Sequence, residues 1–142
     1  MKYPPIYQSI TFIFIVLLTS CSSTKTLYQT IGENKWELNY ISGTRIAFDG
    51  LYPDRKPEIN FDLVDNKLYG NTSCNAFNSA YEMKGNQISI SSQGIMTMVA
   101  CPGNGEQQFL DMLYKVDTFN VEDDELTFYI DDVAVMRFKK KV

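Results

Sequence analysis

The sequence predicts a mostly β domain of the α+β kind: a small, curved, barrel-like antiparallel sheet of seven or eight strands with one flanking helix. Three observations carry this. Short runs in which apolar and polar residues alternate recur along the chain, separated by turn formers such as Asp65-Asn66, Gly85-Asn86 and Asp131-Asp132. Only one segment has the three- and four-residue spacing of a helical face. Successive hairpins of such short strands leave exposed edges unless the sheet curls on itself or is covered. A two-sheet sandwich is the alternative arrangement.

The first residues are of a different kind. Lys2 precedes an apolar run from Ile10 to Leu18, which is the make-up of an export signal and too short for an ordinary membrane-spanning helix. Leu18-Thr19-Ser20-Cys21 resembles the bacterial lipobox. That resemblance implies a signal peptide over residues 1–20, lipidation of Cys21, and a polar tether over 21–33 leading to a domain over 34–142. Several acyl chains on one residue make stable anchoring, since each buried CH₂ contributes about 0.8 kcal/mol. Ser22 follows Cys21 where an inner-membrane retention signal tends to have Asp, so the outer membrane is the expected address, with the periplasmic face favoured over the cell surface.

Removing Lys2 with the signal leaves 12 of the 13 basic side chains against all 17 acidic ones, a balance of −5. Nucleic acid and anionic lipid both favour clustered Lys and Arg. The expected partners are therefore the membrane, through the lipid anchor, and an envelope protein, with no nucleic acid; the domain is expected to be a monomer.

Within the domain, Trp36, Leu38 and Tyr40 alternate with Lys35, Glu37 and Asn39, a half-buried strand with Trp36 as core anchor. The stretch TRIAFDGLYPDRK suits a loop. Ile59, Phe61 and Leu63 alternate with Glu58, Asn60 and Asp62, and Asp65-Asn66 turns the chain into Lys67 to Gly70. The run GNTSCNAFNSAYEM, Gly70 to Met83, is rich in short polar side chains that satisfy local backbone groups, with Cys74 and Phe77 as inward anchors. A hairpin follows around Gly85-Asn86. In GNGEQQFLDMLYKV, Asn104 is the candidate cap, Glu106 favours the first turn, and Phe109, Met112, Leu113 and Val116 share a face. The end returns to strands: Leu126, Phe128 and Ile130 on one face, then Ala134, Met136 and Phe138 alternating with Val135 and Arg137.

These residues resemble the META/HslJ-like family of small bacterial envelope proteins. The resemblance rests on Trp36-Glu37-Leu38, Ile59-Asn60-Phe61, and above all Cys74-Asn75-x-Phe77-x-x-x-Tyr81 answered by Thr97-Met98-x-x-Cys101. It departs at Ser73 and Ser79, where the family commonly has Gly, so either the turn geometry differs there or a non-Gly residue carries backbone strain. The resemblance implies a compact β domain like a small barrel with a flanking helix, a link to heat and antibiotic stress in the envelope, and no enzymatic activity or cofactor.

The chain has no His, which removes the commonest general base and metal ligand. No catalytic, metal or cofactor site is expected. In an oxidising compartment Cys74 and Cys101 are expected to be bridged or buried as free thiols; there is no Cys-x-x-Cys motif for redox work. The acidic run Glu122 to Glu125 reads as a solvated turn. Two functions follow: an envelope lipoprotein contributing to stress or antibiotic tolerance through protein contacts, or a carrier or sensor holding a small apolar or peptide ligand in a barrel-mouth cleft lined by Trp36, Tyr40, Phe77 and Tyr81. A filled core with an exposed apolar patch favours the first; a cavity lined by those aromatics favours the second.

Overall fold

The computed structural model describes residues 27–142. The signal, Cys21 and the first part of the tether lie outside the described residues. Helix α1 (Leu27–Glu33) leads into β1 (Lys35–Ile41); a one-turn helix α2 (Phe48–Leu51) precedes β2 (Glu58–Asp62), β3 (Lys67–Asn71), β4 (Ala76–Lys84), β5 (Gln87–Ile90) and the two-residue β6 (Ile95–Met96). Helix α3 (Gly105–Leu113) is followed by β7 (Thr118–Glu122), β8 (Glu125–Ile130) and β9 (Val133–Lys141).

The strands form one curved antiparallel sheet in the order β3-β2-β1-β9-β8-β7-β5-β4-β6, with β3 also pairing β4. The mostly β architecture is the one predicted, but the sheet is not a true barrel, and that part of the expectation is corrected. β5 meets β7 through a single registered pair, Gln87↔Thr118, whereas β8 and β9 run together from Glu125↔Lys139 to Ile130↔Val133. The chain spends α3 between β6 and β7, and the wall has a narrow seam between β5 and β7 instead of a continuous ladder.

Two bulges bend the long strands. Leu38 pairs with Phe138 and Tyr40 with Arg137, leaving Asn39 extra on β1. Phe128 pairs with Met136 and Tyr129 with Ala134, leaving Val135 extra on β9. A bulge raises the local twist and lets a short sheet curve around its core. At β3 the backbone is packed against its neighbour: a Cβ added to Gly70 would stand 2.1 Å from the Glu58 carbonyl oxygen.

The core is filled. Trp36, Leu38, Ile59, Leu68, Leu126, Phe128, Met136 and Phe138 are wholly buried. Helix α3 inserts Phe109 between strands, its ring 6.0 Å from that of Phe77 and 6.5 Å from that of Phe138. The second half of the expected tether is the helix α1, whose Ile31 is fully buried and whose Ile31 carbonyl accepts the Trp36 indole N–H at 3.0 Å. Alternation read Trp36 as a core anchor, and this bond shows why a large side chain with a polar edge fits: the indole joins α1 to β1.

Candidate functional site

The β3–β4 connection, the segment after β6 and the start of α3 meet around one side chain, Asn75. It is almost fully buried. Its Oδ1 accepts from the Thr97 hydroxyl and the Val99 N–H, both at 2.8 Å, and its Nδ2 donates to the Val99 carbonyl at 3.0 Å and to the Glu106 carboxylate at 3.0–3.1 Å. Thr72, also buried, donates its hydroxyl to Glu106 Oε2 and accepts the Asn75 N–H at 2.9 Å. Asn104 supplies no side-chain cap to α3; Glu106, in the first turn where the helix dipole favours an anion, instead faces Thr72 and Asn75. Tyr52 closes the same corner, its hydroxyl donating to the Gly105 carbonyl at 3.0 Å. Burial pushes that phenol up to about 12, so it stays neutral through the physiological range.

Cys74 and Cys101 are bridged, with Cα atoms 6.0 Å apart. The bridge and Asn75 thus fasten the same segment, residues 97 to 101, to the β3–β4 connection. Its side chains point outward: Met98 is 88% exposed and Val99 61%, and Ile95 just before them is 74% exposed. No pattern in the chain connects Asn75 with Glu106, which lie 31 residues apart.

Ser73 has φ of +84°, so of the two alternatives at that position it is the strained non-Gly residue that the structure shows. Ser73→Gly should stabilise the domain by about 1 kcal/mol, the penalty a Cβ carries in the left-handed region. Its own N–H, bonded to Asn71 Oδ1 at 3.0 Å, is kept by glycine. Chemical denaturation of the two proteins is the check. Ser79, the second departure, is buried with its hydroxyl unpaired.

The four aromatics expected to line a cleft are dispersed. Trp36 is in the core; Tyr81 is buried with its ring edge-on to Phe61 and its hydroxyl on the Asp62 carbonyl at 3.0 Å. Tyr40 lies on the outside, with the Arg137 guanidinium 5.0 Å from its ring centroid. Phe77 alone borders an open groove, of about 510 Å³, on the outer face of β2, β3, β4 and β6. Among the described residues no group of three or more His, Cys, Asp or Glu is placed to hold a metal ion, and no helix is long and apolar enough to cross a membrane.

The family model described as META domain matches residues 29–142. The chain belongs to the META domain family. META-family domains are non-catalytic scaffolds, and membership supports a general, non-enzymatic envelope role for this one. The match begins inside α1, which agrees with the burial of Ile31 against the sheet. Solved structures share the fold at low identity: an NMR structure of a protein from Burkholderia xenovorans is 18% identical, with a TM-score of 0.62 over 80% of this chain and 86% of the other. A crystal structure of a DUF4847 family protein from Bacteroides vulgatus is 10% identical, with a TM-score of 0.56 over 77% of this chain and 93% of the other. No curated protein matches the sequence.

Proposed function

We propose that this META domain is held at the outer membrane by acyl chains on Cys21, on the periplasmic face, and contributes to envelope stress or antibiotic tolerance by binding another envelope protein. One observation carries the reading: the segment fastened by both a disulfide and the Asn75 hydrogen bonds is the one that holds Met98 and Val99 in solvent. Exposed apolar side chains on a loop rigidified in advance bind with less loss of conformational entropy than the same side chains on a mobile one. The filled core supports protein contact over a ligand carried inside the sheet, since Trp36 and Tyr81 are occupied by packing and hydrogen bonds.

The test is complementation of a deletion strain challenged with detergent or an envelope-directed antibiotic. The full-length wild-type chain should restore survival. Met98→Asp/Val99→Asp, at equal abundance and unchanged thermal midpoint, should not. Full rescue by that variant would remove the contact surface from the explanation. Intact mass of the membrane-extracted protein should carry the acyl groups on Cys21; an unlipidated mass would end the anchoring claim separately.

A further inference from the structure

The outer groove has a regular construction that the contact surface does not use. Strand register sets five side chains abreast: Lys35 opposes Asn60, Asn60 opposes Tyr69, Tyr69 opposes Asn78, and Asn78 opposes Ile95. They cross β1, β2, β3, β4 and β6 and span roughly 19 Å, four inter-strand spacings. All five line the groove of about 510 Å³, together with Arg55 from the loop before β2. Lys35, Arg55 and Tyr69 are exposed, and among the described residues none of the five polar members, Lys35, Arg55, Asn60, Tyr69 and Asn78, has a side-chain hydrogen bond or ion pair. The one carboxylate among the described lining residues, Glu58, is taken by Lys141.

We propose that this groove binds an anionic saccharide, a sugar ring bearing a carboxylate. Tyr69 presents an aromatic face in the middle of the row, on which the apolar face of a pyranose stacks. Asn60 and Asn78 on either side each offer one acceptor and two donors to hydroxyl or acetamido groups. Lys35 and Arg55 at one end supply positive charge with no partner among the described residues, in a chain whose net charge is −4, so the end of the groove is complementary to a carboxylate. An extended peptide is less suited. The backbone of β2, β3 and β4 is already paired on both edges, so the floor there offers a peptide main chain only side-chain ends.

The experiment uses the full lipoprotein in detergent micelles and amide NMR, titrated with N-acetylmuramic acid, with N-acetylglucosamine as its ring without the carboxylate, and with a short acidic peptide. Saturable shifts at Asn60, Tyr69 and Asn78 are expected with the acidic sugar, with affinity reduced about tenfold for the neutral one, the loss expected for one charge-assisted hydrogen bond. Lys35→Gln/Arg55→Gln should erase that difference between the sugars, and Tyr69→Ala should weaken both. Absence of saturable shifts with either sugar, or shifts with the acidic peptide alone, overturns the proposal. Either result leaves the Met98 and Val99 surface to be judged by complementation.

Discussion

Removing the Cys74–Cys101 bridge should lower stability by about 3 to 4 kcal/mol, the chain-entropy estimate for a loop of this size. The bridge joins residues 27 apart. For a domain of this length, that loss corresponds to a fall of about 10 to 15 °C in thermal midpoint. Cys74→Ala/Cys101→Ala and the reduced wild-type protein should agree in midpoint, because both release the unfolded chain in the same way. The native contacts beside the bridge are few: Cys101 is exposed, and Cys74 has its sulfur near the Val99 carbonyl. A midpoint that does not move on reduction would mean that Asn75 alone fixes the segment. Survival under stress should fall with stability only if residues 97 to 101 lose their position, so the reduced protein is also a sensitive comparison for the proposed contact surface.

Most of the fold was legible because most strands obey period two. Trp36 and Leu38, Ile59 and Phe61, and Leu126 and Phe128 are buried as alternation requires, whereas the members that alternation adds at the ends of these runs are not: Tyr40 and Leu63 are exposed and Ile130 is half-buried. The pattern failed where the backbone leaves the regular ladder. Alternation puts Ala134 inward and Val135 outward, yet Val135 is buried and Ala134 only partly so, because Val135 is the extra residue of a bulge. Asn39, the extra residue on β1, is likewise turned in, with its Oδ1 buried and unpaired. A one-residue slip exchanges the two faces of a strand, and no side-chain pattern announces it in advance. Helix α1 was missed for another reason. LYQTIGE carries a single deeply buried residue, Ile31, too little for a helical period to be seen, and its position is decided by the bond from Trp36. The barrel expectation rested on the need to protect strand edges. The structure meets that need in part with the curved sheet and α3, leaving a seam at Gln87↔Thr118 and β6 at the end of the strand order.

The candidate site divides the same way. Cys74 and Cys101 were visible as a pair, but whether they were bridged was not. The row Lys35, Asn60, Tyr69, Asn78 and Ile95 exists only once register is known, since each member belongs to a different strand. Ile95 and Val99 carry no periodic signal in the sequence, and they are exposed because their segment is held by backbone groups and Asn75 instead of by its own apolar side chains.

Asn75→Ala should destabilise the domain by about 3 kcal/mol, a loss comparable to that of the disulfide. The substitution removes few apolar contacts. It instead strips partners from the Val99 N–H and carbonyl, the Thr97 hydroxyl and the Glu106 carboxylate, and leaving a buried polar group unsatisfied costs about 1 to 3 kcal/mol. The sum falls short of additive because Val99 and Thr97 are exposed enough for water to replace part of what is lost. Glu106→Ala should cost less by itself, since Asn75 keeps its bonds to Val99 and Thr97. In the double variant the two losses should overlap by about 1 kcal/mol, the coupling expected of directly bonded side chains. Asn75→Asp separates donor from acceptor: it preserves volume and the acceptors for Thr97 and Val99 N–H, yet loses the amide donors and sets a second negative charge against Glu106. It should therefore be at least as unstable as Asn75→Ala at neutral pH. Urea denaturation gives the energies, and hydrogen exchange at the Val99 amide gives the location; a stable Asn75→Asp protein with a protected Val99 amide would show that the Nδ2 contacts to Glu106 contribute nothing.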